Sequence, residues 1–193
     1  MPGATAVGVS FDNGVVLASE KRVSYGNFVV NKNTKKTFQV TDHVGAACAG
    51  MIADMQILVR QVGALAKIRK LETRRIVPPN SIAKMMSVIM FERRFFPLLT
   101  QVIVGGIDTN TRIYTLDPLG SVLPDEYAAV GSGAEMALGV MDSEYKTKMS
   151  EEMAKALAIK AIKSSVQRDS ASGDGIDLLV VRRDQQLEES HRL

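Results

Sequence analysis

The sequence predicts an α+β fold in which antiparallel sheets are covered by helices. Strand patterns come in groups, and long amphipathic helix patterns lie between the groups instead of alternating with single strands. An Asn-Gly pair also joins the first two strand patterns directly, which is typical of an antiparallel hairpin. These observations favour antiparallel sheets over alternating βαβ units.

The first group contains five predicted strands, at residues 4–11, 14–22, 28–31, 35–41 and 44–50. The first two are joined by Asp12-Asn13-Gly14, whose last two residues tolerate a positive φ. Alternation along the first strand places Thr5, Val7, Val9 and Phe11 on one face and Ala4, Ala6, Gly8 and Ser10 on the other. The second face has only small side chains, so we expect a packed sheet or a ligand to approach it closely.

Helices and further strands follow in order. Apolar residues at helical spacing predict one helix from Met55 to Ala66 and, after the break at Pro78-Pro79, another over 82–89. Strands are predicted at 101–108, 112–117 and 127–131, with a turn at 117–120. Two more helices are predicted at 134–143 and from the N-cap Ser150 to Arg168, before a last strand at 176–182. The polar tail, 184–193, is expected to be loose.

Composition excludes several classes of protein. The chain has 193 residues, 46% of them hydrophobic and 23% charged, which predicts one globular domain and excludes disorder or a coiled coil. The longest apolar runs are too short for a membrane span, and we expect a soluble, cytoplasmic protein. The lone Cys48 excludes a disulfide framework within the chain, and with only His43 and His191 it predicts no zinc site.

Two basic clusters and two glycine-rich motifs have simple structural interpretations. The net charge is +3, and the clusters Lys67-Ile-Arg-Lys and Thr73-Arg-Arg contain no aromatic residues, which argues against nucleic-acid binding. Gly131-Ser-Gly133 and Ser172-Gly-Asp-Gly175 match no phosphate-binding loop, so we interpret them as turns. Glu20 and Arg22 share a strand face, and Lys36 lies one hairpin further on. These three residues alone favour a surface ion-pair cluster over a site.

Seven motifs, in order along the chain, give a more specific interpretation. They are Thr5-Ala-Val-Gly8, Val15-Val-Leu-Ala-Ser-Glu-Lys-Arg22, Asn33-Thr-Lys-Lys36, Ala49-Gly50, Val104-Gly-Gly-Ile-Asp108, Tyr127-Ala-Ala-Val-Gly-Ser-Gly133 and Gln167-Arg-Asp-Ser-Ala-Ser-Gly173. Together they resemble the archaeal-type β subunit of the core proteasome, in the N-terminal-nucleophile hydrolase superfamily. The resemblance implies a four-layer αββα sandwich over residues 4–183, after a short leader at 1–3.

The resemblance also implies a site, partners and an activity. Members of this family build a ring particle that degrades proteins to peptides, in which the hydroxyl of an N-terminal threonine attacks the peptide carbonyl. The implied partners are other β subunits, rings of α subunits and polypeptide substrates, without nucleic acid, membrane, metal or cofactor. By position, the carboxylate and lysine beside the nucleophile are Glu20 and Lys36, and the backbone N–H of Gly50 is the oxyanion donor. The residues implied to position the amine and its water are Ser132, Asp169 and Ser172, and those implied to line the substrate pocket are Val23, Thr34, Phe38, Cys48, Ile52 and Gln56.

The chain departs from the family pattern at the nucleophile. Counting back from Val7-Gly8 places the family's threonine at Ala4, which has no side-chain oxygen. Thr5 is a poor substitute, because a shift of one residue along a strand reverses the face of the side chain. The leader also leaves no free amine at residue 4. We therefore predict a non-catalytic subunit; the alternatives are an active subunit carrying a Thr→Ala change at position 4 and, more distantly, a basic scaffold or nucleic-acid-binding domain.

Overall fold

Two five-stranded antiparallel sheets form the centre of the molecule in a computed structural model, which describes residues 3–193. The strands are β1 (Thr5–Phe11), β2 (Gly14–Glu20), β3 (Val23–Tyr25), β4 (Phe28–Asn31), β5 (Thr37–Thr41), β6 (Val44–Gly50), β7 (Thr100–Ile107), β8 (Thr111–Leu116), β9 (Leu123–Asp125), β10 (Tyr127–Gly131), β11 (Ile176–Arg182) and β12 (Gln186–His191). The helices are α1 (Ile52–Thr73), α2 (Pro79–Glu92), α3 (Ala134–Glu144) and α4 (Glu151–Val166).

Four layers result, in the order helix, sheet, sheet, helix. One sheet has the strand order β10-β1-β2-β11-β12 and the other β5-β6-β7-β8-β9, while β3 and β4 form a separate hairpin. Helices α3 and α4 pack on the first sheet and α1 and α2 on the second, each through its own apolar cluster. A third cluster, which includes Leu17 and Ile103, fills the space between the sheets. The predicted αββα sandwich is confirmed.

The small-residue face of β1 lies against the second sheet. Val7 and Val9 point toward α3 and α4, whereas Ala4 and Ala6 belong to the cluster between the sheets. A Cβ atom at Gly8 would lie 2.8 Å from Cγ2 of Ile103. Close packing of the two sheets therefore accounts for this face, and of the two predicted alternatives the packed sheet is the one observed.

The hairpin between β1 and β2 is confirmed, but the predicted reason for it is wrong. Phe11 pairs with Gly14 across a two-residue turn, and neither Asn13 nor Gly14 has a positive φ. Space requires the glycine instead. A Cβ at Gly14 would lie 2.2 Å from the carbonyl oxygen of Val181 and 2.6 Å from the ring of Phe11.

The end of the chain differs from the prediction of a loose tail. Residues 186–191 form β12, which pairs antiparallel with β11 along its whole length. Gln186 Nε2 also donates to the Thr41 carbonyl at 2.7 Å, so this edge strand contacts the second sheet as well. The short strands β3 and β9 were likewise not predicted. Among residues 3–193, no helix is long and apolar enough to cross a bilayer.

The first turn of α4 is tied to β11 by a two-point ion pair. Ser150 caps the helix as predicted, accepting the Met153 N–H at 3.3 Å. The next residue, Glu151, accepts Nε and Nη2 of Arg182, each at 2.6 Å. The Arg182 hydrogen bonds lower the pKa of Glu151 from 4.5 to about 2. The carboxylate therefore stabilises the fold above its unfolded pKa, and this contribution is lost as the pH falls toward about 2.

Glu151→Gln is expected to lower Tm at pH 7 by a few degrees, because hydrogen bonds to a charged group stabilise by about 1.5–3 kcal/mol. The difference from the parent chain should narrow as the pH falls from 4.5 to about 2, where Glu151 itself becomes protonated. Thermal melts across this pH range measure both effects. The matched control is Glu152→Gln, at the exposed neighbouring position. If the Tm difference between the Glu151→Gln chain and the parent chain did not change with pH, the ion pair of Glu151 with Arg182 would not be its cause.

Candidate active site

A buried ion pair lies where β2 ends and β5 begins. Glu20 is the last residue of β2 and Lys36 immediately precedes β5, and their exposed fractions are 0% and 1%. Lys36 Nζ donates to Glu20 Oε1 and, at 2.6 Å, to the carbonyl oxygen of Arg22. The surface ion-pair cluster favoured by local sequence is therefore wrong, because the packed sheets exclude solvent from both charges.

Backbone N–H groups complete the surroundings of the Glu20 carboxylate. Oε2 accepts from Arg22 N at 2.7 Å and from Gly173 N at 3.1 Å, and Oε1 accepts from Thr5 N at 3.3 Å. Burial raises the pKa of Glu20 and lowers the pKa of Lys36, because each charged form loses hydration, and their mutual attraction opposes both shifts. A lysine with a lowered pKa gives up a proton more readily, as a base beside a nucleophile must.

A second group of polar side chains meets at the start of β1. Ser132 Oγ accepts the Ala4 N–H at 3.0 Å and lies 2.5 Å from Asp169 Oδ2. Ser172 Oγ donates to the same carboxylate oxygen at 2.7 Å. Asp169 thus orients two hydroxyls, and one of them holds the backbone nitrogen of residue 4.

Ala4 lies between the ion pair and this hydroxyl network. It is fully buried in the cluster between the sheets, and the N–H of the next residue binds Glu20. Gly3 before it is confined: a Cβ there would lie 2.1 Å from Cβ of Ala171. Met1 and Pro2, the rest of the predicted leader, lie outside the described residues. The structure therefore brings Ala4, Glu20, Lys36, Ser132, Asp169 and Ser172 together, although their catalytic roles stay predictions.

Thr5 presents its hydroxyl to the other side of β1. Its Oγ1 lies 2.8 Å from Ser172 Oγ, and Thr5 is fully buried. Because the Ser172 hydroxyl donates to Asp169, the Thr5 hydroxyl donates to Ser172. This placement gives Thr5 a hydrogen-bonding role away from Lys36, as the reversed strand face predicts.

The Gly50 N–H faces the β5 side of β6. Met51 N bonds the Leu99 carbonyl at 2.8 Å, so Gly50 and its partner Thr100 form a non-hydrogen-bonded pair between β6 and β7. The Gly50 N–H therefore points away from β7, toward the β5 side. Two residues earlier, Cys48 N points to the same side and donates to the Lys36 carbonyl oxygen at 2.9 Å. Among the described residues, no backbone carbonyl on the β5 side accepts a hydrogen bond from Gly50 N. Only glycine fits here, because φ is +130° and a Cβ atom would lie 2.2 Å from the Leu99 carbonyl oxygen.

The predicted pocket residues are only partly assembled. Cys48 is buried in the cluster under α1, with Phe38 and Ile52 packed against it. Burial raises the pKa of the Cys48 thiol, which fits a pocket wall or a buried small side chain and not a nucleophile. Val23 and Thr34 are half-buried and Gln56 is exposed on α1. Phe38 also lines a cavity of about 500 Å³ between β5 and α1.

Sequence reasoning missed the side chain of Arg22. Its Nε donates to Asp174 Oδ2 at 2.7 Å and its Nη1 to the Ser170 carbonyl at 2.9 Å. The guanidinium fills the space beside Gly173, where a Cβ would lie 2.5 Å from Nη2. Arg22 therefore ties the loop that carries Asp169 and Ser172 to the backbone that holds Glu20 and Lys36. Arg22 and Ser170 lie within family motifs and Asp174 directly follows one, but the separation of these residues in sequence concealed the contacts.

The αββα sandwich, with a lysine–carboxylate pair beside the start of its first strand, has the architecture of N-terminal-nucleophile hydrolases. The proteasome subunit family matches residues 1–181, and the chain belongs to that family. It is 67% identical over 181 residues to proteasome subunit beta 1 of Cenarchaeum symbiosum (strain A), covering 94% of each chain. It is 65% identical to proteasome subunit beta 1 of Nitrosopumilus maritimus (strain SCM1), covering 95% of this chain and 93% of the relative. Proteasome subunit beta 2 of Pyrobaculum calidifontis is 46% identical over 192 residues, covering 99% of this chain and 95% of the relative.

Proposed function

We propose that the chain is a β-type subunit of a proteasome core particle. We also propose that this sequence is non-catalytic, because Ala4 occupies the position of the nucleophile. One observation carries the proposal. Ala4, whose side chain has no oxygen, lies beside the Ser132–Asp169 network, which binds its N–H, and next to Thr5, whose N–H binds the Glu20–Lys36 pair.

The chemistry that this site would support depends on a hydroxyl at position 4. A hydroxyl oxygen there would form a bond to the substrate carbonyl carbon while its proton passes to a base, and the carbonyl oxygen would take the negative charge. In this proposal the Gly50 N–H would stabilise the oxyanion, and the departing amine would take up the proton as the carbon–nitrogen bond breaks. The methyl group of Ala4 can form no such bond, so no acyl-enzyme can arise at this residue.

The alternative is an active threonine endopeptidase subunit that carries a Thr→Ala change at position 4. The retention of Glu20, Lys36 and Asp169 in hydrogen-bonded positions favours it. The same groups are equally explained as structural, because Glu20 and Lys36 are buried and bonded to backbone groups, and Asp169 accepts the Ala171 N–H of its own loop. The two histories make different predictions for substitution of Lys36.

Assembly with other proteasome subunits follows from the family, and we propose rings of β subunits stacked on rings of α subunits. Exposed aromatic side chains support this: Phe95 and Phe96, between α2 and β7, are 78% and 90% exposed. A folded chain rarely leaves such side chains in water unless a partner covers them.

The chain mixed with α- and β-type subunits of the same source is expected to sediment as a very large particle. Stable interfaces of this kind bury at least about 1,000 Å² each, enough to survive dilution to micromolar concentration. Analytical ultracentrifugation of the chain alone and of each mixture tests the assembly. A stable monomer in every mixture would refute the proposal, whatever the activity of the other subunits.

A further inference from the structure

The positive charge of the chain is concentrated in one short segment. Residues 67–75, at the end of α1 and just beyond it, contain five basic residues and one acidic residue, for a net charge of +4. The whole chain carries +3, so the remaining 184 residues together carry −1. We call residues 67–75 the basic segment.

The basic segment borders a cavity beside α1 that is larger than the one lined by Phe38. This cavity, of about 770 Å³, lies between the second half of α1, the turn that joins β5 to β6, and the chain leading to α2. Val40, Ala66 and Val77 contribute buried apolar side chains to its lining. Lys67 and Arg74 also line it. The cavity thus combines an apolar surface with cationic side chains.

Two large apolar side chains of the lining remain in water. Leu71 is 70% exposed and Ile76 57% exposed, and both line the cavity. The acidic group in the lining, Asp42, is bonded to Lys70 at 2.6 Å, so it neutralises one of the lysines. Lys67 and Arg74, in contrast, form no ion pair within the described residues, so a ligand's carboxylates could pair with them.

Arg74 occupies a backbone position that favours glycine. It ends α1 in the left-handed conformation, with φ 53° and ψ 25°. Glycine commonly occupies this position because a side chain there is strained. A basic residue near a helix C-terminus interacts favourably with the helix dipole, but Lys70 already lies in the last turn. The dipole also gives no reason for the exposed Leu71 beside it.

We propose that this cavity binds an acidic segment with large apolar side chains on another protein chain. The apolar side chains would enter the cavity, and the carboxylates would pair with Lys67 and Arg74. The proposal deepens the proposed function, on which it rests, by naming the chemistry that a neighbouring subunit brings to this surface. A nucleic acid fits less well: residues 67–77 contain no aromatic side chain for base stacking, and phosphates make no use of the apolar lining.

The test uses the isolated full chain and defined probes, so it is independent of activity at position 4 and of ring assembly. A fluorescent dodecapeptide of three Glu-Glu-Leu-Leu repeats is titrated by anisotropy. Matched peptides replace every Glu with Gln or every Leu with Ser, and a twelve-nucleotide oligothymidine serves as the nucleic-acid probe. We expect the acidic, apolar peptide to bind most tightly and its affinity to fall as salt rises.

Two variants locate the binding site. Arg74→Gly should leave Tm unchanged or higher, because it relieves the left-handed strain, yet weaken binding of the acidic peptide about threefold. Lys67→Glu combined with Arg74→Glu should weaken it about tenfold or more. Lys163→Gln, which removes an exposed charge on α4, should change neither Tm nor the affinity for the acidic peptide.

Three results would overturn the proposal. The first is no saturable binding of the acidic peptide at millimolar concentration, or equal binding of its neutral counterpart. The second is unchanged binding by the Lys67→Glu/Arg74→Glu chain. The third is that oligothymidine binds more tightly than the peptide and that the Lys67→Glu/Arg74→Glu chain no longer binds it. This surface would then be a nucleic-acid site. None of these three results would contradict the proposed ring assembly, which can use other surfaces of the chain.

Discussion

Ala4→Thr, in a chain that begins at residue 4, is expected to give the assembled particle a peptidase activity at least about 10³-fold above that of the parent subunit. The change supplies the missing oxygen beside Lys36, and removing residues 1–3 supplies a free amine next to Ser132. Hydrolysis of fluorogenic peptides by the reconstituted particle measures the effect, with every other β subunit in the mixture inactivated beforehand.

The control for this experiment is Ala4→Val in the same truncated chain. Valine has nearly the shape of threonine without the hydroxyl, so it separates the new oxygen from the effect of filling space. A particle that assembles with Ala4→Thr yet neither hydrolyses peptides nor takes up a threonine-directed covalent inhibitor would show that the site has degenerated. Activity in the Ala4→Val particle would show that the nucleophile lies elsewhere.

Lys36→Met, in the Ala4 background, is expected to lower the free energy of unfolding by about 3–5 kcal/mol. For a chain of this length, that loss corresponds to a Tm lower by roughly 6–20 °C. The cause is the Glu20 carboxylate, which would remain fully buried without its cation. The matched control is Lys70→Met, which breaks an exposed pair with Asp42 and should cost less than about 1 kcal/mol.

The pH dependence of this variant distinguishes a lost ion pair from lost packing. Without Lys36, the pKa of Glu20, already raised by burial, rises further above its unfolded value. A carboxyl group whose pKa is higher in the folded state makes its full contribution to the free energy of unfolding below its unfolded pKa. That contribution is lost as the pH rises through the folded pKa. The Lys36→Met chain should therefore lose less stability at pH 5 than at pH 8, and adding Glu20→Gln should recover part of the loss. If Lys36→Met melts like the parent at both pH values, the pair is not structural, and its retention would favour recent loss of a threonine at position 4.

The main elements of the fold could be predicted because each carries a local signal. Strand alternation and helical spacing predicted the long elements, and Ser150 marked the start of α4. β12 could not be predicted, because all of its residues except Leu187 are polar and the alternation typical of a strand is missing, although β12 pairs with β11 along its length. The strands at 14–22 and 35–41 were predicted too long by two residues each. Lys36 consequently lies before β5 and not within it.

The candidate site was less predictable from local sequence than from the family motifs. Spacing alone left Glu20 and Lys36 as a surface cluster, because their burial depends on a second sheet that packs from distant parts of the chain. The motifs implied a place near residue 4 for Ser132 and Asp169; Ser132 accepts the Ala4 N–H and Asp169 binds Ser132, while their roles stay predictions. They carried no information on how the Arg22 side chain reaches Asp174, since that contact joins residues 152 positions apart.

Burial of the Glu20–Lys36 pair also has an evolutionary consequence. A chain that needs this pair in order to fold keeps both residues under selection even after it stops cleaving peptides. Alanine and threonine codons differ by one nucleotide, so a lineage with such a scaffold can lose and regain the side-chain oxygen at position 4 in a single mutation. Copies of the gene with and without that oxygen can then interconvert over generations without passing through an unstable intermediate sequence.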